Sequence, residues 1–113
     1  MSKTVLVVSS DLNFRNIVRK VLKKHAFVVS ESDSLKMSIS KISSAEFNFI
    51  LVFEETHGDA SIDVVKHAEL HTESMILLML MNWKSDLALF MGHTNKVLIA
   101  PFTEKRILNA IAD

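Results

Sequence analysis

Apolar residues fall along this chain in two rhythms. Short unbroken runs occur at Val5-Leu6-Val7-Val8, Phe27-Val28-Val29, Phe49-Ile50-Leu51-Val52-Phe53, Met75 to Met81 and Val97-Leu98-Ile99. Each is bounded by polar or turn-forming residues, as a strand is, and the central Phe49–Phe53 run reads as one buried on both faces. Between the runs, apolar residues recur at helical spacing. The sets are Phe14, Ile17, Val18, Val21 and Leu22; Leu35, Met37, Ile39 and Ile42; Ile62, Val64, Val65 and Ala68; Leu87, Leu89, Phe90 and Met91; and Ile107, Leu108 and Ile111. Asp11, the turn Ser32-Asp33-Ser34 and Thr103 stand where helix caps are needed, and Gly92 is placed to stop the fourth helix. Five strands alternating with five helices predict βαβ units with right-handed crossovers, hence a doubly wound α/β fold around a parallel sheet. The run from Phe47 to Glu55 is the natural central strand.

Composition narrows this further. The 113 residues make a single domain spanning 1–113, and a hydrophobic share of 49% with 2 Gly and 1 Pro describes a regular, well-packed chain. No repeat, linker or low-complexity segment interrupts it. Thirteen basic residues balance 13 acidic ones, so no overall field draws the chain to nucleic acid or an anionic membrane. Zero cysteines remove thiol catalysis, disulfides and thiolate metal sites, and fit a cytoplasmic location. The apolar run Met75–Met81 is far short of the about 20 residues of a membrane span, and Met1-Ser2-Lys3-Thr4 enters a strand without room for a signal peptide.

In parallel α/β sheets chemistry sits just beyond the carboxyl ends of the strands. Here those ends carry Ser9, Ser10 and Asp11 after the first strand and Phe53, Glu54 and Glu55 after the central one. No glycine-rich phosphate loop follows the first strand, and the two serines lack the glycine flanks of a nucleophile elbow. His67 and His71 lie four apart on the third helix, a spacing that can chelate a transition metal, but they read as solvated histidines. No metal or cofactor is expected. Arg15, Arg19, Lys20, Lys23 and Lys24 form the wet face of the first helix.

The order of elements, the Val5-Leu6-Val7-Val8 strand with Arg15 six residues after Ser9, the Asn48-to-Phe53 strand, and Ala100-Pro101-Phe102 before the last helix together resemble the receiver domain of bacterial response regulators. The resemblance runs from about Lys3 to Ala112. It implies a flavodoxin/CheY-like sheet in the order 2-1-3-4-5 and, between Ala100 and Pro101, a cis peptide. Receivers carry an acidic pair after strand one, a phosphoacceptor aspartate ending strand three, Thr or Ser ending strand four and Lys-Pro-Phe after strand five. They use these, with Mg2+, to take a phosphoryl group from a histidine kinase. On this chain the acidic pair matches Ser9 and Ser10, with Asp11 one place beyond; the phosphoacceptor matches Phe53, with Glu54 beside it. The Thr/Ser position falls at Met79 or Leu80, the aromatic switch at Val97 and the lysine at Ala100. Phosphoryl transfer needs a carboxylate nucleophile, a hard cation and a cationic clamp, so the resemblance implies a pseudo-receiver that is not an enzyme.

A receiver without that chemistry can still bind proteins. The family uses the face built from its fourth helix, fifth strand and fifth helix for dimer or effector contacts, and here Trp83, Leu87, Phe90 and Met91 make the fourth helix unusually apolar. The expectation is a signalling module acting through a protein partner or a second copy at that face. Two other readings stay open: an atypical receiver still phosphorylated or ligand-regulated through Asp11 or Glu54, and a truncated regulator whose output domain followed Asp113.

Overall fold

The computed structural model describes residues 3–54, 59–81 and 92–111. Strands β1 (Thr4–Val8), β2 (Val28–Ser32), β3 (Phe49–Phe53), β4 (Met75–Leu80) and β5 (Lys96–Ile99) form one fully parallel sheet in the order β2-β1-β3-β4-β5. Helices α1 (Leu12–Lys24), α2 (Leu35–Ser44), α3 (Asp59–His71) and α4 (Glu104–Ile111) are the four among the described residues. The helix expected through Leu87–Met91 lies outside them, as do Trp83, Leu87, Phe90 and Met91 themselves and the carboxylate of Glu55.

The period-two alternation of the strands divides the core into two layers. Val5, Val7, Leu51, Leu77, Met79 and Leu98 face α1 and α4, where Phe14, Val18, Leu22, Ile107 and Ile111 meet them. Leu6, Val8, Ile50, Val52, Ile76, Leu78 and Leu80 face α2 and α3, against Ile42, Ile62, Val65 and Ala68. β3 sits at the centre, with Phe49 to Val52 all buried, as an unbroken apolar run requires.

Local chemistry fixes the helix ends. Asp11 accepts from the N–H groups of Asn13 and Phe14 at 2.9 and 3.2 Å, and Ser34 Oγ accepts from Met37 N–H. Thr103 Oγ1 does the same for Arg106 N–H at 3.2 Å. α1 ends where Ala26 takes a left-handed φ of 67°, which lets Phe27 N–H donate to Leu22 O and Ala26 N–H to Lys23 O, a Schellman closure. Gly92 also has a positive φ, 84°. α4 is tied to the end of α1 by Glu104, whose carboxylate meets Lys24 Nζ and His25 Nε2; the His25 hydrogen bond, more than the Lys24 charge, holds that carboxyl below its ordinary range.

Three expectations need correction. The second strand begins at Val28, not Phe27, and runs on to Ser32, which closes it instead of opening the turn. Ser32 is buried because its hydroxyl lies 2.6 Å from that of Ser38, itself buried under α2, so the polar residues satisfy one another inside the layer. Ile17 and Met37, taken from their spacing as core residues, are exposed: the α1 stripe needs only Phe14, Val18 and Leu22 to cover the sheet. The Ala100–Pro101 peptide is cis, as the receiver resemblance implied.

Burial predicts the mutational response. Leu51→Ala, at a site with no exposed surface, is expected to lower unfolding free energy by about 2–5 kcal/mol. Leu70→Ala, at 77% exposure, should stay within about 0.5 kcal/mol. Urea titrations of the two variants check both.

Candidate functional site

The carboxyl ends of β1, β3, β4 and β5 open on the same rim of the sheet, and three aromatic rings fill it. Phe53, last residue of β3, stacks on Phe14 of α1 with ring centroids 4.2 Å apart and planes 27° apart. Phe102, just after the cis Ala100–Pro101 peptide, meets both edge-on, at 5.5 Å from Phe14 and 6.0 Å from Phe53. Stacked and edge-to-face pairs at these distances are favourable beyond the area they bury. Register explains why Phe53 is here: it shares the parity of Phe49 and Leu51, so it faces α1, and it pairs with Met79 on β4. Its carbonyl accepts from Ser61 Oγ of α3 at 3.1 Å, and the next N–H, that of Glu54, donates to Met79 O at 2.9 Å.

The other strand ends are built into the main chain. Ser9 is buried; its N–H donates to Ser32 O, its hydroxyl accepts from Asp11 N–H at 3.0 Å, and its carbonyl accepts from Arg15 Nη1 at 2.6 Å. Ser10 is exposed beside it, and the Asp11 carboxylate is engaged as the α1 cap. Met79 is fully buried in the α1–α4 layer, and Ala100 sits at the end of β5 with its N–H on Leu80 O. Val97 is 40% exposed on the edge strand. Two guanidinia reach these ends and both serve carbonyls: Arg15 that of Ser9, and Arg106 those of Ile99 and Pro101. Arg15 and Arg19 also share the Glu31 carboxylate, at 3.3 and 3.1 Å, so the expected wet face of α1 is in part a salt-bridged seam to β2.

Glu54 follows β3 at the same rim. It is half-buried, and its Oε2 has no hydrogen-bond partner among the described residues. His71 is exposed, in keeping with a solvated histidine, but His67 is not. His67 is half-buried with Nε2 3.2 Å from Ser43 Oγ on α2, and His93 Nδ1 pairs with Glu69 Oε1 at 3.0 Å. His93 and Glu69 line an open polar cleft of about 240 Å3 between the end of α3 and the approach to β5, at the opposite end of the sheet from the aromatic cluster.

The structure thus brings Phe53, Met79 and Ala100 to one rim with Ser9, Ser10 and Glu54. The sequence reading missed that Phe14 and Phe102 would close on Phe53. Phe14 falls in the helical stripe of α1 and Phe102 in the segment before the last helix; the available signal was one aromatic residue ending β3 and one shortly after each of β1 and β5.

No family model matches the chain, and no curated protein matches it by sequence. Solved structures do. A CheY-like response-regulator receiver domain protein from Methanospirillum hungatei superposes with a TM-score of 0.89 at 13% identity, covering 99% of this chain and 92% of that one. The response regulator TrrA of Thermotoga maritima, solved in complex with Mg2+–BeF, gives 0.87 at 14% identity over 97% and 96%. The chemotaxis protein CheY4 of Vibrio cholerae gives 0.80 at 18% identity over 99% and 98%. This chain has the fold of the CheY-like response-regulator receiver domains.

Proposed function

We propose that this chain is a phosphorylation-independent pseudo-receiver, acting in the cytoplasm as a protein-binding module of two-component-type signalling. The observation that carries the reading is the aromatic cluster: where the receiver resemblance puts the phosphoacceptor, Phe53 lies stacked on Phe14 and edge-on to Phe102. A phenyl ring has no lone pair with which to attack phosphorus. The donor set does not fit Mg2+, which needs carboxylate oxygens. Ser9 commits its hydroxyl to Asp11 N–H, and the Asp11 carboxylate caps α1. Ala100 stands at the lysine position, and Arg15 and Arg106 hold main-chain carbonyls.

What the fold then offers is surface. Val97 leaves an apolar side chain 40% exposed on the β5 edge, at the position where receivers carry their aromatic switch and within the face they use for dimers and effectors. A partner protein or second copy docking there needs no phosphoryl signal, only a β5 edge left apolar. One observation favours a second reading: the buried Glu54 Oε2, with no hydrogen-bond partner among the described residues, would suit a ligand-regulated site.

Amide NMR with Mg2+ and beryllofluoride separates the two. The pseudo-receiver should show no saturable shifts; saturable shifts centred on Ser9 to Asp11 and Phe53 to Glu54 would replace it with the ligand-regulated reading. Restoring the nucleophile alone should also cost stability, because Phe53→Asp sets a carboxylate against two phenyl rings. Burial raises that carboxyl's folded pKa above its unfolded value, so the penalty is full above the folded pKa and fades as pH falls through it toward the unfolded one. A loss of about 2–3 kcal/mol at neutral pH, shrinking in acid, is expected from denaturant titrations. For the docking face, Val97→Lys should weaken partner capture or self-association with the fold unchanged by circular dichroism. Unaltered sedimentation and capture would remove that face from the proposal while leaving the silent phosphoacceptor position intact.

A further inference from the structure

We propose that His67 and His71 form a two-imidazole site for a borderline divalent transition-metal cation, of the Cu2+, Ni2+ or Zn2+ class, on the α2–α3 layer. This goes beyond the pseudo-receiver reading and does not depend on it. The two rings stand one helical turn apart on the same face of α3, with centroids 4.3 Å apart and planes 39° apart, close enough for both side chains to reach one ion. His71 is exposed and His67 half-buried, which leaves the pair open to an aqueous ion.

Ligand chemistry selects the class. Imidazole nitrogen suits Cu2+, Ni2+ and Zn2+, whereas Ca2+ and Mg2+ demand oxygen donors. Coordination also requires a neutral ring. No group of three His, Asp or Glu side chains converges to hold an ion among the described residues, so water completes the coordination shell. With two protein ligands and no imposed geometry, affinity should follow the intrinsic order of the divalent ions, Cu2+ binding most tightly.

The site has a built-in competitor. His67 Nε2 lies 3.2 Å from Ser43 Oγ, the hydrogen bond by which α3 meets the last turn of α2. A cation taking the Nε2 lone pair displaces the Ser43 hydroxyl, so ion binding and this helix–helix tie exclude one another. Ser43→Ala therefore leaves the chelate intact and removes its rival.

The experiment is a Cu2+ titration of the full chain followed by amide NMR, with Ni2+ affinities by calorimetry. Paramagnetic broadening should saturate and centre on His67, His71 and Ser43. His71→Ala should bind at least about tenfold more weakly, the scale of losing a metal-site group, while Ser43→Ala binds as tightly as the native chain or more so. Circular dichroism checks that both variants keep the fold, and His71→Gln, which retains helix propensity, replaces the alanine if it does not. Broadening centred on His25, His93 or any other histidine, or a His71 variant with native affinity, would overturn the site.

Discussion

Covering a parallel sheet with helices on both faces leaves its main chain little contact with water except at the strand ends. In this chain the constraint is strict, because Ile50, Leu51 and Val52 of β3 and most of β1 and β4 have no exposed surface. Polar groups inside such a sandwich must pair with each other, as the Ser32 and Ser38 hydroxyls do, and everything that might meet a ligand is driven to the rim. Whether the rim is wet or dry is then decided by very few side chains. Here Phe14, Phe53 and Phe102 extend the α1–α4 core layer to the very end of the strands.

That extension changes what the surrounding residues do. At a wet rim, arginines and hydroxyls are free to meet anions. Around a dry one they settle on the main chain: Arg15 on Ser9 O, Arg106 on Ile99 O and Pro101 O, Ser61 Oγ on Phe53 O. Each satisfies a carbonyl that the end of a strand would otherwise leave open. The aromatic cluster and the arginine clamps are therefore one arrangement, with apolar rings sealing the space and cations tying down the ends around it.

Much of this was legible in the chain. Unbroken apolar runs locate the five strands, and the 3.6-residue rhythm with Asp11, Ser34 and Thr103 as caps fixes α1, α2 and α4. The cis Ala100–Pro101 bond and the sheet order rested on the family resemblance, and both hold. Less legible were properties set by tertiary neighbours. The spacing of Ile17 matches that of Val18, yet only one of them meets the sheet, since the arc of α1 that docks is set by packing and not by periodicity. Ser32 reads as a turn residue and becomes the buried end of a strand because Ser38 answers it. The meeting of Phe53 with Phe14 and Phe102 depends on where three distant segments converge, which local sequence does not encode.

The same convergence bears on how the molecule comes into being. Phe14 belongs to the first helix, Phe53 to the middle strand and Phe102 to the approach to the last helix, and Glu104 then links α4 back to Lys24 and His25. A chain emerging amino end first from the ribosome can pair β1 with β2 and β3 early, but the rim stays open until the segment carrying Phe102 is released. Until then Phe14 and Phe53 present bare aromatic surface. For this protein the segment that carries Phe102 completes the aromatic cluster, and a nascent chain stalled before its release displays its stickiest face to the chaperones around it.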